Sequence, residues 1–386
     1  MFRTKLQQLA AQSLTRTVTP LESSIGPVVQ QSGRRVILLC SNDYLGLATH
    51  PDVIGAAVRA TELYGAGAGA ARLICGTLPP HAELETALAT FKGTESALMF
   101  GSGYMTNLGV IPGLIEPHGL ILADRLCHAS LIDGCRLSRA DFRVFRHRDS
   151  SHLESLLKRR AAKRPTLIVT DGLFSMDGDV APLPELAALA KRYDTMLYVD
   201  DAHGTGVMGP TGRGTLEHLG VERDIPFHMG TLGKALGSSG AYVVGPRDMI
   251  QYLINTARPF IFTTASPPSS AAAASAALGV IRRDPERRSR LWANRDRLFV
   301  GLQQRGFRLT DTVSPILPIV IGSAEQTLAF AQQLLAHGVY APAIRPPTVP
   351  NESSRIRVTV TSEHTADHID EALRAFELAG QATGLL

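Results

Sequence analysis

Between Thr166 and Val199 the chain passes from a short apolar run to a helical pattern and back, and this alternation restricts the fold more than any other feature. Thr166–Thr170 (TLIVT) predicts a strand buried on both faces. Pro184–Tyr193 predicts a helix, with proline in its first turn and Leu186, Leu189, Ala190 and Tyr193 along one side. Met196–Val199 (MLYV) returns to strand. Strand–helix–strand is the unit of a parallel sheet held between helix layers, so the fold class is α/β. Ala241–Val244 and Pro259–Thr263 read as further strands, and Ser151-x-x-Glu154 reads as a capping box opening a helix over Ser151–Arg160.

At Arg282–Leu298 the sequence becomes strongly charged, which predicts a solvated connecting helix leaving the large domain. Beyond it, Ser314–Ile321 and Arg355–Thr361 predict strands and Thr365–Leu378 an amphipathic helix, a smaller α+β arrangement. The expected organisation is an N-terminal helix and arm over 1–41, a large domain over 42–282 and a small C-terminal domain over 283–386. A chain of 386 residues with 44% hydrophobic residues can bury a real core without disulfides or a structural metal. Its most apolar stretches, Leu98–Ile115 and Ala271–Ile281, are broken by Gly, Asn, Pro or Ser or are mostly alanine, which argues against a membrane span. The net charge of +4 is far from a nucleic-acid-binding profile. Four cysteines without CxxC spacing predict free thiols in a reducing compartment, hence a cytoplasmic protein. Met1–Gln12 lacks the apolar run of a secretory signal. An amphipathic helix through Phe2, Leu6, Leu9 and Ala10 is expected there, with an Arg-bearing transit segment the open alternative.

Only six of the 39 basic residues are lysines. Lys158, Lys163 and Lys191 sit in charged runs, Lys5 is terminal, and Lys92 is expected in a Phe-Lys-Gly turn. Lys234 differs, because it stands in Met-Gly-Thr-Leu-Gly-Lys-Ala-Leu-Gly-Ser-Ser-Gly with no other charge between Asp224 and Arg247. A lysine desolvated among small residues should fall below its free pKa of ~10.4, as a Schiff-base lysine requires. The segment lacks the GxxxxGK[ST] pattern of a phosphate-loop NTPase. In Tyr198-Val-Asp-Asp-Ala-His-Gly204, Asp200 closes a strand at the edge where α/β sheets bind ligands, and His203 follows in a glycine-rich loop. Such an aspartate can hold a cationic heterocycle nitrogen; helix capping is the plainer alternative. No HExxH or close His/Cys pair supports a metal site. Gly101-Ser-Gly-Tyr104 precedes a helical pattern, so its free N–H groups could hold a phosphate. Arg345 and Arg357 could fork a carboxylate, whereas Arg355 is expected to be surface charge.

Taken together, Ser41-Asn-Asp-Tyr-Leu-Gly-Leu47, Asp124-Arg-Leu-Cys-His-Ala-Ser130, Phe174-Ser-Met-Asp-Gly-Asp179, Val199-Asp-Asp-Ala-His-Gly-Thr-Gly206 and Thr231-Leu-Gly-Lys234 resemble the pyridoxal-phosphate-dependent α-oxoamine synthases. Ala343-Ile-Arg-Pro-Pro-Thr-Val-Pro350 is similar to the branch that condenses L-alanine with a pimeloyl thioester in biotin synthesis. The resemblance implies an aspartate-aminotransferase-like fold of type I, with a large, mostly parallel mixed sheet, and a homodimer. It implies pyridoxal 5'-phosphate on Lys234, Asp200 at the ring nitrogen, His203 near the ring hydroxyl, and His128 stacked on the ring and touching substrate. Gly103, Tyr104, Ser175 and Thr231 would hold the cofactor, and Thr263 and Thr264 would reach across from a partner subunit. Arg16, Asn42, Arg345, Thr348 and Arg357 would bind substrate, delivered on coenzyme A or acyl carrier protein. Two departures stand out: Ala70-Ala71 where a hydroxyl is common, and Asp171 where glutamate is commoner. A glycine-using relative such as glycine C-acetyltransferase, or a catalytically silent binding protein on the same fold, are the alternatives.

Overall fold

Strands buried on both faces need apolar side chains pointing each way, and three segments of this chain supply them. Ile121 and Ala123, Leu167 and Val169, and Tyr198 pack on one side of a sheet. Leu120 and Leu122, Ile168, and Leu197 and Val199 pack on the other. The computed structural model of the chain describes residues 1–161, 163–310 and 312–386. Across the sheet the strands run Ser96–Phe100, Ala241–Gly245, His228–Thr231, Met196–Asp200, Thr166–Asp171, Leu120–Asp124 and Asp141–Phe145. Ala241–Gly245 is antiparallel to both neighbours and the remaining pairs are parallel. Helices Gly103–Leu114, Ala129–Leu137 and Arg247–Thr256 cover the first face, and Ser150–Lys158 and Leu183–Arg192 cover the second. Each leucine, isoleucine or valine so buried contributes ~1.5–3 kcal/mol. The α/β expectation holds.

This sheet belongs to a unit formed by His50–Ser175 and Val180–Pro285. Met1–Thr49, Met176–Asp179 and Glu286–Leu386 form a second unit. There Ile316–Gly322 and Ala343–Ile344 flank Ser354–Thr359 in an antiparallel sheet, and Arg34–Leu38 pairs with Val28–Gln31 and Val339–Tyr340. Phe307, Phe330 and Phe376 meet with ring centres about 6 Å apart in its core.

Four local expectations are corrected. Pro259–Thr263 is not a strand: Arg258–Ile261 is a short helical turn with proline in its first positions, and Phe260 enters the core. A five-residue apolar run has no periodicity to separate the two. Helix Ser150–Lys158 is capped by Asp149, whose carboxylate accepts the His152 N–H at 2.7 Å, and not by Ser151. The charged stretch at 282–298 is two helices, Pro268–Arg283 and Glu286–Gln304, divided at Asp284-Pro285 where proline lacks a donor. Arg355 is not surface charge. It is buried and forks onto Asp177 Oδ1 at 2.6 Å and the Met176 carbonyl at 3.1 Å. The N-terminal helix forms as Phe2–Ala11, with none of its residues buried. Among the described residues, no helix is long and apolar enough to cross a membrane.

Candidate active site

Parallel strands present their carboxyl ends along one edge, and here three of them end in carboxylates, of which Asp171 and Asp200 share one cavity. Asp171 closes Thr166–Asp171, Asp200 closes Met196–Asp200, and the two are register partners. Both are buried. Asp200 accepts the Asn107 side-chain N–H at 2.8 Å and the Ala202 backbone N–H at 3.0 Å. Asn107 is itself fixed, since the Tyr198 hydroxyl donates to its oxygen at 2.8 Å and its second N–H reaches Ser130 Oγ at 2.9 Å.

The chain of donors continues to His128. Ser130 Oγ lies 2.7 Å from His128 Nδ1, and the Ser130 backbone N–H donates to the same nitrogen at 3.3 Å. Nδ1 is therefore the acceptor, and the ring proton of the neutral imidazole lies on Nε2. Burial lowers the His128 pKa, the nearby Asp200 opposes that shift, and the Lys234 charge adds to it. The residue's outer surface is solvent-exposed, which tempers the desolvation. Its backbone N–H donates to Asp171 at 2.9 Å. Burial and then the Asp200 charge raise Asp171 well above the usual carboxylate range. Tyr104 meets the His128 ring edge-on at 6.5 Å, and its hydroxyl donates to Asp133.

Lys234 stands half-buried in the loop joining His228–Thr231 to Ala241–Gly245. The loop closes tightly, with Leu232 N–H on the Gly240 carbonyl and Ser238 N–H on the Leu232 carbonyl, both at 2.9 Å. Gly240 has φ +108°, where a Cβ would strike the Phe100 carbonyl, so glycine is needed there. Thr231 Oγ1 donates to the same Gly240 carbonyl at 3.1 Å.

These elements enclose a cavity of about 200 Å³ lined by Gly103, Tyr104, His128, Ser130, Asp171, Asp200, Ala202, His203, Met229, Thr231 and Lys234. One water needs only ~10–15 Å³, so there is room for an organic ligand. Seven residues singled out from the sequence thus converge on one space. Ser175, Thr263 and Thr264 do not line it; the two threonines line a small cleft with Arg72 and His81. Apart from His128, the expected substrate residues belong to the other unit. Arg357 donates to Asn42 Oδ1 at 3.1 Å and to the Tyr44 hydroxyl at 3.2 Å. Arg345 donates to the carbonyls of Ser13 and Thr15, while Arg16 donates to that of Pro346 at 3.0 Å. Thr348 is exposed and its N–H reaches the Arg345 carbonyl. Asn107 and Ser130 were not anticipated as site residues. Among the described residues, no cluster of three or more His, Cys, Asp or Glu could hold a metal ion.

The family model described as aminotransferase class I and II matches residues 34–376. The chain belongs to that family. Among its class I and II relatives, an 8-amino-7-oxononanoate synthase of Anaeromyxobacter dehalogenans strain 2CP-1 is 50% identical over 371 residues, 96% of this chain and 93% of that protein. The protein of the same name from Geobacter sulfurreducens is 48% identical, covering 99% and 98%. A solved serine palmitoyltransferase of S. paucimobilis with bound PLP superposes with a TM-score of 0.95 at 36% identity, covering 100% of this chain and 98% of that one. These relatives bear out the resemblance to the α-oxoamine synthases and the fold it implied.

Proposed function

We propose that this chain is a pyridoxal-phosphate-dependent acyltransferase that condenses L-alanine with a pimeloyl thioester to give 8-amino-7-oxononanoate for biotin synthesis. The observation that carries the reading is the meeting of a lysine amine, a fixed carboxylate and two histidines in one cavity, in a chain half identical to synthases of that name. The donor set fits the cofactor. A primary amine suits its aldehyde, an anchored carboxylate suits its protonated ring nitrogen, and the start of helix Gly103–Leu114 suits its phosphate. Bound there, pyridoxal 5'-phosphate supplies the electron sink for negative charge developing at the alanine α-carbon.

The chain's own residues do the rest. Lys234 would hold the cofactor through its ε-amine and, once alanine displaces it, take up and return the α-proton. Asp200 would keep the ring nitrogen protonated, an ionic hydrogen bond worth ~1.5–3 kcal/mol. Burial and the Asp200 charge raise the Asp171 pKa, which favours its neutral form. His128 would stack on the ring with its orientation set by Ser130, and His203 would face the ring hydroxyl. Gly103, Tyr104 and Thr231 would complete the cofactor's hold, with Thr263 and Thr264 contributed by a second subunit of a homodimer. Arg357 and Asn42 would take the amino-acid carboxylate. Arg16, Arg345 and Thr348 would shape the acyl side, the two arginines through the main-chain carbonyls they hold. Overall, alanine's α-carbon bonds to the thioester carbonyl carbon, the thiol leaves, and the carboxylate departs as carbon dioxide. Four free cysteines support a reducing, cytoplasmic setting.

The test is to offer purified protein L-alanine with pimeloyl-coenzyme A and with pimeloyl-acyl carrier protein, and glycine with acetyl-coenzyme A. Amino-ketone and carbon dioxide should appear with alanine and at least one pimeloyl carrier. Free coenzyme A released only from glycine with acetyl-coenzyme A would overturn the assignment in favour of the glycine-using relative.

A further inference from the structure

Immediately after Asp200 the chain makes a second buried carboxylate that the chemistry above does not use. Asp201 accepts the Thr215 hydroxyl at 2.6 Å and the Thr215 N–H at 3.2 Å, and lies 3.5 Å from Lys92 Nζ. Their side chains are 1% and 0% exposed for Lys92 and Asp201. Lys92, the last residue of helix Pro79–Lys92, also donates to Thr205 Oγ1 at 3.0 Å and to the Arg213 carbonyl. Thr205 Oγ1 returns its own proton to the Asp201 carbonyl at 3.0 Å. The knot is closed by glycines, since a Cβ at Gly204 or Gly214 would collide with the Asp201 carboxylate. The turn from Asp200 to Thr205 is therefore bolted at two points, Asp201 and Thr205, and both bolts run to Lys92.

We infer that Lys92 is a positioning residue: by holding Asp201 and Thr205 it aims the Asp200 carboxylate and the His203 imidazole into the cavity. This rests on the cofactor reading above. A buried ion pair seldom stabilises a fold more than apolar residues of the same volume would, so its use here is better sought in fixing a geometry. The geometry is well placed to matter, because Asp200 takes one of its two donors from Ala202, inside the bolted turn.

The experiment compares the holoenzyme with Lys92→Met and with Lys92→Met/Asp201→Asn, which leaves no unpaired buried charge. Three readings are taken well below the melting temperature: kcat, KM for alanine, and the pH titration of the bound cofactor's visible absorption. Misplacing a reacting group by about 1 Å can cost about a hundredfold, and a loss of that order in kcat is expected. KM should stay within about threefold. The absorption titration should move by at least about half a pH unit in both variants, because the ring nitrogen's partner has moved. Folded variants with near-parental kcat and an unmoved titration would make the pair a stabilising bridge only, and failure of both to fold would equally overturn the positioning role. If the parent protein itself develops no absorption band with the cofactor, the cofactor reading fails instead.

Discussion

Lys92 and Lys234 belong to the same unit, and their surroundings divide the work a lysine can do. Lys92 is buried at a helix end with its ammonium committed to a carboxylate, a hydroxyl and a carbonyl. Lys234 stands half-buried in a loop of small residues and faces a cavity large enough for a ligand. The neighbouring aspartates repeat the contrast. Asp201 is enclosed with its ion-pair partner, whereas Asp200 is anchored from behind by Asn107 and presented to the cavity. Burial with every partner supplied makes a charged group architectural. Burial with one side left to a ligand makes it chemical.

The largest way to break this contrast is at Lys234. Lys234→Ala should lower turnover by at least about a thousandfold, equivalent to ~4 kcal/mol of barrier, with the fold intact. A kcat close to the parent's would move the chemistry elsewhere. In the other unit His364 offers an independent measure of what enclosure costs a titratable group. Burial and the adjacent His368 lower its pKa to about 4, while its Nδ1 accepts the Thr361 N–H at 3.0 Å. The unfolded value is ~6.5, so the folded state binds fewer protons. Stability should be fully present above ~6.5 and decline as pH falls towards 4, by about 3 kcal/mol in all. In His364→Asn, urea melts across that window should lose this slope; an unchanged slope would show that His364 is not its source.

Next in size, Asp200→Asn should slow turnover by roughly 10- to 100-fold, matching the ~1.5–3 kcal/mol of an ionic hydrogen bond, with little change in melting temperature. A large fall in melting temperature would erase the distinction from Asp201. Gly214→Ala probes the enclosed side. With φ +121° and no room beside Asp201, it should destabilise the fold by at least ~1–2 kcal/mol. The smallest effect is expected at Lys191, an exposed residue of helix Leu183–Arg192, where Lys191→Ala should leave kcat/KM within about twofold. Equal losses at Lys191 and Lys234 would defeat the assignment.

Lys234, Asp200 and His203 were legible in the sequence because each sits in a local pattern: a charge-free glycine loop, or the end of an apolar strand. The sheet was legible for the same reason, since a two-sided strand needs several apolar residues in a row. Asn107 was not, because its bond to Asp200 spans 93 positions and nothing beside it in sequence hints at that partner. Lys92 was misread as a turn lysine, as Asp201 and Thr205 lie 109 and 113 positions away. Arg355 was misjudged for a like reason, its partner Asp177 being 178 positions distant. Pairing across the fold decides whether a charge is solvated, and local sequence reports only the charge.

Covalent capture tests the central claim most directly. The purified protein is incubated with pyridoxal 5'-phosphate, reduced with borohydride, digested and mapped by mass spectrometry. The account predicts the pyridoxyl group on the peptide carrying Lys234 and none on Lys92. A label on any other lysine at comparable yield, or no label at all, would contradict it.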